Sequence, residues 1–82
     1  MMSPTLSKIT RRNGIAGQVA YTVTATYGDE TDPPSPVTFI GDTSGVGPVI
    51  MQTPTFEVFV TDPSRCGKFG PQWVRNFFGV TA

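Results

Sequence analysis

Between Gln18 and Tyr27 the chain alternates, with Val19, Tyr21, Val23, Ala25 and Tyr27 on one parity and Thr22, Thr24 and Thr26 on the other. Successive side chains on a strand point to opposite faces, so the run predicts one apolar face and one threonine face. Such a strand suits an antiparallel sheet with one side on a core and the other in water. The threonines read as strand formers, favoured for their branched β-carbons, and not as a surface-matching array.

Turn chemistry divides the rest of the chain. Leu6 to Arg12 reads as a strand, and Asn13-Gly14 as the tip of a hairpin, because that dipeptide accepts the positive φ angles of a type I′ turn. The return strand is expected from near Ile15, with Gly17 at a bulge or local bend before the regular part. Gly28 to Pro36, with three acids and three prolines, is expected to be a loop, since proline supplies no ladder donor. A strand follows from Val37 to about Gly41, a turn from Asp42 to Gly47, and then two short strands, Val49 to Gln52 and Phe56 to Thr61, joined through Thr53-Pro54-Thr55.

The period then changes. Asp62-Pro63 looks like an N-cap with proline at the first helical position, so Pro63 to Cys66 is read as one isolated helical turn stopped by Gly67. Gly70-Pro71 opens a second helix with Trp73, Val74, Phe77 and Phe78 on one side, and Gly79 is placed to end it. Phe69 stands where it can fold back on Val74 as a hydrophobic staple. A helix this short does not survive alone and needs tertiary contact. The expected fold is therefore α+β: a small antiparallel meander of four or five strands with a short C-terminal α-helix, in one domain spanning 1–82 with residues 1–5 as a flexible N-terminus.

Side-chain parity leaves one group unassigned. Phe56, Val58 and Val60 share a face, which puts Phe59 on the other with Glu57 and Thr61, and Ile40 and Ile50 similarly oppose the main apolar faces of their strands. Either the C-terminal helix covers this second side or these residues form an exposed patch suited to a partner or to a homo-oligomer contact. The helix is the preferred cover, because it needs a place to dock.

Composition narrows the chemistry. With 82 residues and nine aromatics the chain fills one compact core but not two. The single cysteine, Cys66, rules out an internal disulfide and a Cys-x-x-Cys zinc site, and it is read as a mark of a reducing compartment. There is no histidine, which removes Ser-His and Cys-His nucleophilic pairs. Asp29, Glu30 and Asp32 are close in sequence, but they lack EF-hand spacing and an apolar setting that would shift a catalytic carboxyl. Gly41 to Gly47 lacks the Gly-Lys-Ser/Thr ending of a phosphate-binding loop. No enzyme activity, cofactor or metal is expected.

Six basic residues balance six acidic ones, so no overall field draws nucleic acid or an anionic membrane. The beginning lacks a charged segment followed by an apolar run, and no stretch reaches the roughly 18 apolar residues of a membrane helix. The expectation is a complete small product without a signal peptide, located in a cytoplasm. Two basic groups remain as candidates: Lys8, Arg11 and Arg12 on the first hairpin, and Arg65, Lys68 and Arg75 around the helix. Were they to converge, they would make a patch for an anionic partner. Phe69, Trp73 and Phe77 beside Arg75 have the interleaving used for base stacking, although a domain this small needs them first for its core. The partner-binding candidates are Phe59, Arg65, Lys68 and Arg75.

Gly17-Gln-Val-Ala-Tyr-Thr-Val-Thr-Ala-Thr-Tyr-Gly-Asp29 and Phe69-Gly-Pro-Gln-Trp-Val-Arg-Asn-Phe-Phe78 resemble segments of small uncharacterised accessory proteins of mycobacteriophages and related actinobacteriophages. The resemblance spans Ile15 to Phe78 and carries no motif of known chemistry, so no site residue transfers. It implies a non-enzymatic accessory protein that binds or modulates a host protein in the host cytoplasm. The alternative it allows is a virion structural or decoration protein, and a small nucleic-acid-binding regulator is a third reading.

Overall fold

The computed structural model describes residues 4–26 and 35–80. The strands are β1 (Thr5–Leu6), β2 (Thr10–Asn13), β3 (Gln18–Thr26), β4 (Ser35–Asp42), β5 (Val49–Gln52) and β6 (Glu57–Val60), followed by a 3-10 turn at Pro63–Cys66 and a helix, α1 (Pro71–Phe77). All pairings are antiparallel, in the spatial order β1-β3-β4-β5-β6, with β2 also on β3. This is the expected α+β meander. The acidic and proline-rich stretch 28–34 and Tyr27 lie outside the described residues.

β1 and β2 form one interrupted edge. From the Leu6–Ala25 pair to the Thr10–Thr22 pair the first strand takes four steps where β3 takes three, which is the extra residue of a β-bulge. Ser7 holds the gap: its amide donates to the Thr24 carbonyl at 2.9 Å, and its Oγ accepts from the Thr24 amide at 2.8 Å. The sheet takes in Thr5, inside the segment expected to be flexible.

The first hairpin turns later than its Asn-Gly dipeptide suggests. β2 runs through Asn13, and the Gln18 amide donates to the Ile15 carbonyl across Ala16 and Gly17, whose φ angles are 58° and 79°. Positive φ at both central residues is the mark of the type I′ turn. Register moves the turn there, because Asn13 is committed to pairing with Val19. Of the bulge or local bend expected at Gly17, the structure has the bend, as the second central residue of the turn.

β4 begins at Ser35, so Ser35 and Pro36 belong to the strand and not to the preceding loop. Proline is accepted there because Thr24, opposite Pro36, spends its own backbone groups on Ser7. Ladder alternation therefore aims the Pro36 nitrogen away from β3 and past Gln52, where β5 has ended and no donor is needed.

The register collects Val19, Tyr21, Val23, Val37, Phe39 and Val49 on one face, and α1 lies across it. Phe39 is fully buried, with ring centroids 5.2 Å from Trp73 and 5.0 Å from Phe77 at edge-to-face angles. Phe69 lodges between Tyr21 and Trp73, at 5.1 and 5.2 Å. Its ring lies over Gly41, where an added β-carbon would come within 2.9 Å of Cε2. The expected staple partner Val74 shares this core, but the ring contact of Phe69 is with Trp73. Trp73 Nε1 donates to the Pro63 carbonyl at 2.8 Å and Asn76 Nδ2 to the Cys66 carbonyl at 3.0 Å, tying α1 to the 3-10 turn. Asp62 does not cap that turn with its side chain, which accepts instead from Ser64 Oγ. α1 ends in a Schellman motif: with Gly79 at φ 74°, the Gly79 amide donates to Asn76 and that of Val80 to Arg75.

Candidate functional site

The helix does not cover the second side of the sheet, contrary to the preferred expectation. Its aromatics pack on the Tyr21 and Phe39 side because on the threonine side β3 offers only the small apolar side chain of Ala20. The pairs Arg12–Ala20, Ala20–Ile40, Ile40–Ile50 and Ile50–Phe59 then align one residue from each strand into a single row across the open face. Ala20 is buried, Ile40 and Ile50 are half-buried, all three stand outside the core cluster, and Phe59 keeps 65% of its surface exposed. Among the described residues no element lies over this row.

A polar row runs beside it: Thr10, Thr22, Thr38, Gln52 and Glu57 are paired in succession. Thr22 Oγ1 and Thr38 Oγ1 are 3.1 Å apart, and Gln52 Nε2 donates to Glu57 Oε2. These two bonds pair Thr22 with Thr38 and Gln52 with Glu57, and the row gives the apolar stripe a polar border. An apolar centre bounded by polar groups is the anatomy of a protein-binding surface.

The row ends on β6, an edge strand. Phe56, at the close of the preceding turn, is 52% exposed, and Val58, on the helix side of β6, is 43% exposed. The turn itself is built by Thr53, whose amide donates to the Phe56 carbonyl at 2.8 Å and whose Oγ1 accepts from the Phe56 amide at 3.1 Å. Sequence parity marked Phe59, Ile40 and Ile50, but the exposure of Phe56 and Val58 was missed. Their shared parity with Val60 suggested core, and only the position of β6 at the end of the sheet shows otherwise.

The other candidates do not join Phe59. Arg65 sits on the 3-10 turn, exposed and 4.0 Å from Asp62, an ion pair too solvated to contribute much. Lys68 is exposed, with its stem beside Gly45 on the β4–β5 turn. Arg75 is on the last turn of α1, where a cation suits the helix dipole, and it lines a groove of about 730 Å³ with Lys8, Leu6, Ile9 and Pro71. The fold thus brings one residue of each basic group together, Lys8 and Arg75. Arg12 lies instead at the far end of the open-face row.

Cys66 is half-buried, and burial pushes its thiol pKa up; Arg65 opposes this and Asp62 adds to it. At neutral pH it is the protonated, weakly nucleophilic form. Phe69 and Trp73, candidates for base stacking, are buried in the core, and Phe77 stacks on Trp73. Among the described residues no group of His, Cys, Asp or Glu could hold a metal ion, and no helix is long and apolar enough to cross a membrane. Asp29, Glu30 and Asp32 lie outside the described residues. Comparisons with protein-family models, with curated proteins and with solved structures find no match.

Proposed function

We propose that this chain is a non-enzymatic binding protein that engages another protein through the open face of its sheet. The observation that carries the reading is the apolar run Ile40–Ile50–Phe59, whose exposure grows from half-buried Ile40 and Ile50 to Phe59 and which runs beside a polar row. Sequence resemblance alone supplies the setting, a phage accessory protein acting on a host bacterial protein in the host cytoplasm.

Ile50 is the residue to alter, since it sits mid-row and away from both edges. A tagged copy should capture a reproducible partner from an actinobacterial lysate, and Ile50→Lys should lose it while retaining the circular dichroism of the parent. A central apolar anchor contributes about 2 kcal/mol or more, a loss of roughly thirtyfold in affinity. Capture that persists with Ile50→Lys removes the open face from the reading. Mass spectrometry of purified particles addresses the virion alternative, which stoichiometric presence would favour.

A further inference from the structure

The two edges of the sheet are built differently. The β1/β2 edge is broken by its bulge, with Lys8 in the gap and Arg11 and Arg12 on β2, and breaks and basic side chains are devices by which sheets refuse a further strand. The β6 edge is as short as β2 but has neither a bulge nor a basic residue. Glu57-Val-Phe-Val60 contains no proline, no lysine and one charge, and it exposes apolar side chains on both faces.

Its backbone groups can be assigned. The Thr53 amide donates to the Phe56 carbonyl, so that pair is hydrogen-bonded; the ladder then alternates, turning Val58 and Val60 toward β5 and Glu57 and Phe59 outward. Among the described residues no strand lies beyond β6 to meet these outward groups.

We infer that β6 pairs antiparallel with β6 of a second copy of this chain, about a twofold axis at Phe59. In that register Phe59 faces Phe59 of the second copy, so the apolar row continues unbroken from Ala20 of one copy to Ala20 of the other. Glu57 meets Thr61 of the second copy and not another carboxylate, and Val58 meets Val60 on the helix side. A shift of one residue in either direction turns the outward groups of one strand away from those of the other. A shift of two along the axis, with Val58 on the twofold, places Phe59 against Glu57.

Area and closure agree with a second copy. Phe56, Val58 and Phe59 offer on the order of 300 Å² per copy, about 600 Å² for the pair before the paired backbones are added, the size of a weak, transient contact and below the roughly 1,200 Å² of a stable interface. The assembly is thus a weak, reversible dimer. Pairing consumes the single unguarded edge of each copy and leaves guarded edges at both ends, so association closes at two. The inference is independent of the proposed partner, which is tested at Ile50.

Sedimentation and amide exchange on the same samples test it. The mass should rise with concentration from 8.8 kDa toward twice that value and stop. The amides of Glu57 and Phe59 should slow in step while those of β1 and β2 do not change, and isotope-filtered spectra should show Phe59 rings of two copies in contact. Val58→Lys should raise the dimer Kd at least about tenfold, because it sets a cation against an apolar neighbour. Glu57→Pro, which removes an outward N–H and no ladder bond, should do the same. A monomer up to about millimolar concentration, mass that grows without limit, or a dimer in which the Glu57 and Phe59 amides still exchange fast would each overturn it.

Discussion

At single residues the fold holds strain, close approach and local charge that can be altered one at a time. Ala16 adopts φ 58°, where a β-carbon crowds the following carbonyl at a cost of about 1–2 kcal/mol. Glycine removes that cost but adds freedom to the unfolded chain, so Ala16→Gly is expected to stabilise by a net ~0.5–1 kcal/mol. Thermal unfolding should show it as a rise of a few degrees, since about 1 kcal/mol moves a domain of this size by roughly 4–8 °C. Gly41 is the reverse case. The Phe69 ring occupies the space of its absent β-carbon, and Gly41→Ala should cost roughly 1–3 kcal/mol by displacing a ring wedged between Tyr21 and Trp73. An unchanged denaturation midpoint would show that the ring slides freely. On the β4–β5 turn, the Ser44 amide donates to Asp42 Oδ1 at 2.8 Å, and with the Ser44 side chain it holds the carboxyl pKa below its ordinary value of 3.8. A pKa depressed by folding means that the stabilisation is present above the unfolded pKa and is lost as pH falls through the folded one. Ser44→Ala should raise the Asp42 pKa only part of the way, since the backbone bond is the larger cause; a carboxyl-carbon titration reads this directly.

At the level of elements, α1 is seven residues long and stands only through what it touches. Trp73→Phe keeps an aromatic against Phe39 but deletes the donor to the Pro63 carbonyl, and a loss of roughly 1–3 kcal/mol is expected. Its signature should be local: the Gly67 amide, bonded to the Ser64 carbonyl at 3.1 Å, should gain exchange rate before the amides of β3 do. The start and stop of this helix were legible because Gly70, Pro71 and Gly79 each do a local job that their residue type announces. The β3 alternation was legible for the same reason. What the sequence could not carry was register. Asn13-Gly14 has better turn chemistry than Ala16-Gly17, yet pairing with Val19 decides the matter, and that pairing is a property of two strands. The bulge at Ser7 likewise appears only when Leu6 and Thr10 are counted against Ala25 and Thr22. The side chosen by the helix had a readable clue in the threonines of β3. β5 and β6 carry apolar residues on both faces, and until register linked Tyr21 through Phe39 and Met51 to Val58 neither face could be matched to that clue.

Over the whole molecule, the two faces of the sheet carry unlike loads, and stability separates them. Phe39 is at the centre of the aromatic cluster, and Phe39→Ala is expected to cost about 3–5 kcal/mol, close to the entire stability of a small domain. Ile50 lies two strands from β3 on the open side, paired with Ile40 and Phe59, and Ile50→Lys should cost within about 1 kcal/mol because its ammonium reaches water from a half-buried position. Urea denaturation of both variants at low and high protein concentration makes the comparison. A large loss for Ile50→Lys at every concentration would show that the open face is buried within the monomer, contrary to its role as a binding surface. A Val58→Lys loss that grows with concentration, while the Ile50→Lys loss stays small, would place the association on the β6 edge. The open face would then remain free on both copies, carried on one continuous apolar row twice as long as either copy presents alone.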